Sequence, residues 1–176
     1  MPTTEPLTPQ QIWHAVDTER ASLHELLSTL TEAEWNHRSL CESWRVREVV
    51  AHIILSSNPS LPTILVGLLR ARGDLHTMIR DTAIRHAAKT PTAQLLSQLR
   101  ATVGLRVTAL GTTPTDRLMD LLVHGQDIAI PLGLPREMPA AATRAALDRV
   151  WKDGDWRTRE APLPELLLQA TGRRTS

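Results

Sequence analysis

The sequence predicts an all-α fold: a helical bundle with short extra helices near its C-terminal end. Three observations favour this class. Apolar residues recur at helical spacing through most of the 176-residue chain, and threonine–proline pairs stand where helices would begin. We find no alternating strand pattern, internal repeat or glycine-rich phosphate loop. A chain of this length with 41% hydrophobic residues can bury the core of one compact domain.

The first half of the chain predicts two bundle helices and a short helical turn. Capping boxes, each a threonine followed three residues later by Gln or Glu, predict helix starts at Thr8/Gln11 and Thr31/Glu34. Apolar residues from Ile12 to Leu30 recur at helical spacing, as do those of Val46–Ser57. These two segments are the first two predicted bundle helices.

The second half predicts four more helices. Their expected extents are Asp74 to Lys89, Pro91 to Leu110, Pro114 to about Pro131, and Ala140–Lys152. Thr90 and Thr113 each place a capping hydroxyl before a proline, which suits the first helical position. Gly111 is the expected stop of the second of these helices.

Charge and aromatic content argue against nucleic-acid partners. The formal net charge is +1, whereas phosphate binding needs clustered positive charge. Tryptophan is the only aromatic type among Phe, Trp and Tyr, so stacking platforms are sparse. The close arginine pairs are expected to be solvated helix ends; they are Arg45/Arg47, Arg70/Arg72 and Arg173/Arg174.

The single cysteine, Cys41, cannot form an intramolecular disulfide and fits a reducing, cytoplasmic location. We expect a loop or core thiol, because no base for a nucleophile lies nearby in the sequence. The N-terminal residues do not resemble a signal peptide, and no run of about 18 apolar residues predicts a membrane span.

Four residues are the candidates for a functional site. Asp120 and His124 are four positions apart, so on a helix their side chains share one face. His52, in the apolar run of an earlier helix, can supply a third ligand. Two imidazoles and one carboxylate suit Zn²⁺, Fe²⁺ or Ni²⁺ and leave positions open for water or substrate. Asp127 lies on the same side of the helix as Asp120 and His124, within an arc of roughly 60°.

Simpler interpretations remain open at this point. Asp120, His124 and Asp127 could form the narrow solvated stripe of an amphipathic helix. His52 could be a hydrogen-bonded core residue. Glu48 has the same four-residue spacing to His52, although an acid near a helix start is also explained by the helix dipole.

Two blocks of the sequence resemble the mycothiol-dependent maleylpyruvate isomerase family. The first runs from Trp44 to His52 and is preceded by Cys41; the second runs from Asp120 to Ile128 and continues to Gly133. The likeness extends from about Thr8 to Glu137 and returns at Pro164–Leu168 with Gly172-Arg173. One departure is Arg45, where the family commonly has Thr or Ser. The resemblance implies a DinB-like four-helix bundle.

The resemblance also implies site roles. By motif position, His52, Asp120 and His124 are the metal ligands, most simply for zinc. Asp127 matches a family acid that orients a ligand or faces the substrate, and His52 and Asp127 are the residues expected to act in catalysis. The cofactors implied are a divalent metal ion and mycothiol as the thiol cosubstrate. The expected activity is that of a thiol transferase or isomerase acting on a small electrophile.

The same resemblance suggests a shortened family member. Larger relatives carry a C-terminal α/β domain, so we expect a DinB-like bundle over residues 1–137 and a short helical extension over 138–176 that packs on it. Maleylpyruvate itself is then expected to be a poor substrate. The alternative function is a non-catalytic metal-binding or dimer-forming helical protein, and a homodimer is an expected assembly in either case.

Overall fold

The computed structural model describes residues 5–109, 111–152 and 155–173, and these residues are helical almost throughout. The α-helices are α1 (Pro9–Ser28), α2 (Glu32–Trp35), α3 (Val46–Ser57), α4 (Leu61–Arg70), α5 (Leu75–Lys89), α6 (Thr92–Ala101), α7 (Pro114–Ala129), α8 (Ala140–Val150) and α9 (Leu163–Ala170). A 3₁₀ turn occupies Asp155–Thr158. Within the described ranges there is no strand beyond an isolated bridge between Arg38 and Arg45. The all-α prediction is confirmed.

Four helices form a closed ring around the core. Helix α1 packs on α6 and α7, and α3 packs on the same two helices from the other side. Helix α5 covers α3, and α4 packs on α5. At the other end of the chain, α8 packs on α7 and α9 packs on α8. The facing surfaces of α3 and α7 therefore lie in the interior of the bundle.

Most of the predicted helix starts are confirmed. The Thr8 and Thr31 side chains accept from the backbone N–H of Gln11 and Glu34, and both capping boxes are complete. Thr113 forms a third capping box, and Asp74 caps α5. Thr90 does not cap α6: that helix begins at Thr92 after Pro91, and Thr90 instead ends α5.

The helix predicted from Pro91 to Leu110 is wrong in its second half. Helix α6 ends at Ala101, and Leu110 lies outside the described residues. Gly104 has a φ of 88°, a left-handed conformation that breaks the helix, and its N–H donates to the carboxylate of Asp17. The buried guanidinium of Arg20 donates to the carbonyls of Thr102 and Leu105, at 2.8 and 3.0 Å. Contacts with α1 therefore determine where α6 stops.

Helix α4 was not predicted. Its leucines do not face the core; several are well exposed, among them Leu61, Leu65 and Leu69. In the described part of the chain, no helix is both long and apolar enough to cross a membrane.

Candidate metal centre

Three of the predicted residues meet between α3 and α7. The Oδ1 atom of Asp120 lies 3.2 Å from Nε2 of His124 and 3.6 Å from Nε2 of His52. The two imidazole rings are 5.0 Å apart between centroids and nearly perpendicular. One ligand atom from each of the three side chains lies within 4.8 Å of the other two. The structure thus brings together His52, Asp120 and His124, from helices far apart in sequence.

A second carboxylate determines which nitrogen of His124 faces this cluster. Nδ1 of His124 lies 2.9 Å from Oδ2 of Asp127, one turn further along α7. With its N–H donated to Asp127, the ring presents Nε2 to Asp120 and His52. Burial alone would lower the pKa of His124, but Asp120, together with hydrogen bonds to Asp127 and Cys41, holds it well above its usual range.

Asp120 is held from its other side by an arginine. Nη1 of Arg117 lies 3.3 Å from Oδ2 of Asp120, and the guanidinium also donates to the hydroxyl and carbonyl oxygens of Ser56 at 2.7 and 2.8 Å. Burial would raise the pKa of Asp120, but His124 and His52 hold it well below its usual range. Asp120 is therefore an ionised carboxylate, which leaves it able to bind a cation.

Trp44 closes one side of the cluster. Its ring centroid lies 5.2 Å from that of His52 and 6.3 Å from that of His124. The indole N–H is buried and has no hydrogen-bond partner among the described residues. Glu48, the other acid considered near His52, is instead engaged by Arg45: its carboxylate accepts from the Arg45 backbone N–H at 2.7 Å and from the guanidinium. Glu48, the third residue of α3, thus accepts the backbone N–H of the N-cap residue Arg45.

Asp127 gathers donors from three parts of the chain. Besides His124, Sγ of Cys41 lies 3.0 Å from its Oδ2 atom. Arg173 contacts both carboxylate oxygens, with Nε at 3.0 Å and Nη2 at 2.8 Å. Burial would raise the pKa of Asp127, but the hydrogen bonds from His124 and Arg173 lower it to about 2. Beside this group, Cys41 and Arg173 line a cavity of about 540 Å³ together with Leu40, Glu42 and Gly172.

Among the residues that the structure describes, two overlapping groups of side chains have the donor atoms to hold a metal ion: His52/Asp120/His124 and Cys41/His124/Asp127. In the second group Asp127 already has Arg173 as its counter-charge, so a cation would have to displace a bidentate guanidinium. In the first group the carboxylate faces two imidazoles. Ligand atoms about 2.1 Å from a tetrahedral ion stand about 3.4 Å apart. The separations of 3.2 and 3.6 Å around Asp120 fit that spacing.

Two interpretations of the sequence are wrong. The polar residues of α7 are not a solvated stripe, because Asp127 is fully buried and His124 is 8% exposed. Arg173 is not a solvated helix end, because it is paired with Asp127; Arg174 lies outside the described residues. The contact between Cys41 and Asp127 joins positions 86 residues apart and was also missed. The available signal was an aspartate on a largely apolar helix, which requires a charged partner if it is buried.

The fold and the polar cluster define a class of protein: an all-helical bundle with a candidate metal centre between two facing helices. Residues 16–129 match the family described as the mycothiol maleylpyruvate isomerase N-terminal domain, and the chain belongs to that family. The family is a metal-binding one associated with the thiol mycothiol, and its domain has a DinB-like helical fold. Comparison with curated proteins and with solved structures gave no match.

Proposed function

We propose that this protein is a divalent-metal-dependent enzyme that uses a low-molecular-weight thiol, mycothiol, to attack a small electrophile. The convergence of His52, Asp120 and His124 carries this proposal, with the Asp120 oxygen at distances from both imidazole nitrogens that suit ligands of one tetrahedral ion. Two imidazoles and a carboxylate suit zinc, which is the metal that we propose for this site. A bound metal with open positions would lower the pKa of a thiol or water.

The residues around the centre have separate roles in this proposal. His52, Asp120 and His124 hold the metal. Asp127 orients His124 through Nδ1, a role that suits its complete burial better than contact with substrate. Arg117 holds Asp120 in place. The ring of Trp44 packs beside both imidazoles and closes one side of the centre.

The reaction class is attack of a thiol on an electrophilic carbon. A C–S bond forms as the S–H bond breaks. With an activated alkene the C=C π bond also breaks and the neighbouring carbon takes up the proton, and with a halide the carbon–halogen bond breaks and hydrogen halide is released. An isomerase would then release the thiol, whereas a transferase would keep the adduct.

A reducing compartment such as the cytoplasm suits a thiol cosubstrate. The homodimer also remains a prediction, for which sedimentation equilibrium is the measurement.

Metal titration tests the centre directly. We expect protein purified without an affinity tag to bind one equivalent of Zn²⁺ and the His52→Ala variant to lose stoichiometric binding. His86→Ala is the matched control, because His86 is a half-buried histidine that lies outside the cluster and is hydrogen-bonded to Gln98. Co²⁺ provides a second readout: as a quencher bound beside Trp44 it should reduce tryptophan fluorescence in the wild type and much less in Trp44→Phe.

Turnover tests the chemistry. A panel of activated alkenes and halides, assayed with mycothiol and with glutathione, should show turnover that depends on metal and on His52, with mycothiol preferred. Zinc-loaded protein without turnover above background would favour the non-catalytic metal-binding alternative. Full activity in His52→Ala would contradict the assigned ligand set.

A further inference from the structure

The buried carboxylate of Asp127 joins the metal centre to the C-terminal segment of the chain. On one side it accepts from Nδ1 of His124 at 2.9 Å. On the other side it is held by both Nε and Nη2 of Arg173. Arg173 is the permanent cation in contact with this carboxylate, because the other donors are a thiol and an imidazole. The three side chains form one continuous hydrogen-bonded series that reaches Asp120 through His124.

The position of Arg173 is fixed by the end of α9. Gly172 has a φ of 78° and donates its N–H to the carbonyl of Gln169, and the Arg173 N–H donates to the carbonyl of Leu168 at 2.8 Å. This pair of bonds is a Schellman motif, a defined helix ending that requires a left-handed residue at the glycine position. The guanidinium also donates to the carbonyl of Thr171 at 2.7 Å. The docked helix α9 therefore places the Arg173 side chain against Asp127.

Removal of Arg173 would leave Asp127 without its bidentate, permanently charged partner. The carboxylate would keep the Cys41 thiol and the His124 N–H as donors, but His124 is neutral when its Nε2 binds a metal, and a buried anion without an adjacent counter-charge is costly. The adjacent cavity would allow it to turn toward water. His124 would then lose the hydrogen bond that directs its Nε2 atom toward Asp120 and His52.

We propose that Arg173 is a positioning residue of the metal centre and that docking of α9 and metal binding are thermodynamically coupled through Asp127. This inference rests on the proposed function, because it requires the metal to bind at His52, Asp120 and His124. The coupling is reciprocal: the factor by which a docked α9 raises metal affinity equals the factor by which the metal favours docking of α9. The C-terminal segment would thus regulate occupancy of a site to which it contributes no ligand.

Zinc affinity and amide exchange test the coupling. We expect Arg173→Gln to weaken Zn²⁺ binding by about 10–100-fold, as measured by competition with a chromophoric chelator. Arg173→Lys keeps the charge but loses the bidentate contact, so it should fall between Arg173→Gln and the wild type. Arg159→Gln is the matched control, because Arg159 is an arginine of the same segment that pairs with Asp155 at the surface. It should bind zinc as the wild type does.

The second readout does not depend on activity. In the wild type, zinc should slow hydrogen exchange of the α9 amides, and in Arg173→Gln this effect should be lost. Wild-type zinc affinity in both Arg173 variants, with α9 protected by zinc as before, would overturn the coupling and leave the proposed function standing. A wild-type protein that binds no zinc would overturn both. If Arg173→Gln does not fold, the Arg173→Lys variant is compared with the wild type instead. A zinc affinity of Arg173→Lys equal to that of the wild type would overturn the inference.

Discussion

Asp120 and Asp127 are about two helical turns apart on the same side of α7, yet their surroundings give them different expected roles. Asp120 faces two imidazoles, whereas Asp127 is saturated by hydrogen-bond donors. We expect Asp120→Ala to abolish stoichiometric zinc binding and Asp127→Asn to weaken it by about 10–100-fold, because Asp127 acts only through His124. Isothermal titration of both variants is the measurement. The reverse order would mean that the ligand is the other carboxylate.

The protonation of His124 predicts opposite pH effects with and without metal. Its raised pKa means that it stabilises the metal-free fold fully below its unfolded value of about 6.5, and this stability is lost as pH rises through the higher folded value. Metal binding needs an unprotonated Nε2, so zinc affinity should rise with pH, by up to about tenfold per unit for each proton displaced.

Thermal melts in chelator and in zinc, between about pH 6 and 9, check this prediction. The stability contributed by His124 should decrease with pH in chelator, seen as the difference between wild type and His124→Gln, while the increase in Tm on adding zinc should grow. A zinc-induced increase that does not change with pH would contradict it.

At the residue scale, the sequence could predict that the side chains of His52, Asp120 and His124 converge. Helical spacing and family motifs can both be recognised within short stretches of sequence. The sequence could not predict that Cys41, Trp44 and Arg173 surround them. Those contacts depend on how the loop before α3 and the turn after α9 lie across α7, which no local pattern encodes.

At the element scale, Gly125 allows α7 to approach the segment after it. A Cβ atom added there would overlap the side chain of Arg136, which is buried and paired with Glu19 at 2.7 Å. We expect Gly125→Ala to destabilise the fold by about 1–3 kcal/mol, although alanine is the better helix former by about 1 kcal/mol. Urea denaturation is the measurement.

Gly67→Ala is the matched comparison for that prediction. Its added Cβ would meet Cγ of Met78, an unbranched and adaptable side chain that is not held by an ion pair. The gain in helix propensity should offset the repacking, so the free energy of unfolding should change much less than in Gly125→Ala. A change for Gly125→Ala as small as that for Gly67→Ala would show that Arg136 is free to move.

Nearby residues predict some helix boundaries and not others. Thr8, Thr31, Asp74 and Thr113 cap their helices with bonds that span three residues or fewer, and these starts were predicted. The end of α6 depends instead on Arg20, which lies more than 80 positions away in the sequence. Helix α4 was missed although Pro62 stands at its start and apolar residues recur along it; several of these residues are exposed in the structure.

For the whole molecule, the ring of α1, α6, α3 and α7 follows from the predicted order of amphipathic helices, and the class was predictable for that reason. The outer packing of α8 on α7 and α9 on α8 supports the expected C-terminal extension, whose boundary at residue 138 remains a prediction. What the sequence could not give is the depth at which the polar residues of α7 are buried, because burial depends on α8 and α9.

The placement of ligands on α3 and α7 has a consequence for the unfolded chain. His52 and Asp120 are about 70 residues apart, so an ion held by both would close a long loop. Closing such a loop removes many conformations from an unfolded chain that still binds the ion. The effect is like that of a covalent cross-link. Unlike a cross-link, the ion can be removed with a chelator. Metal supply would then set how readily the bundle opens, in addition to what the protein does when closed.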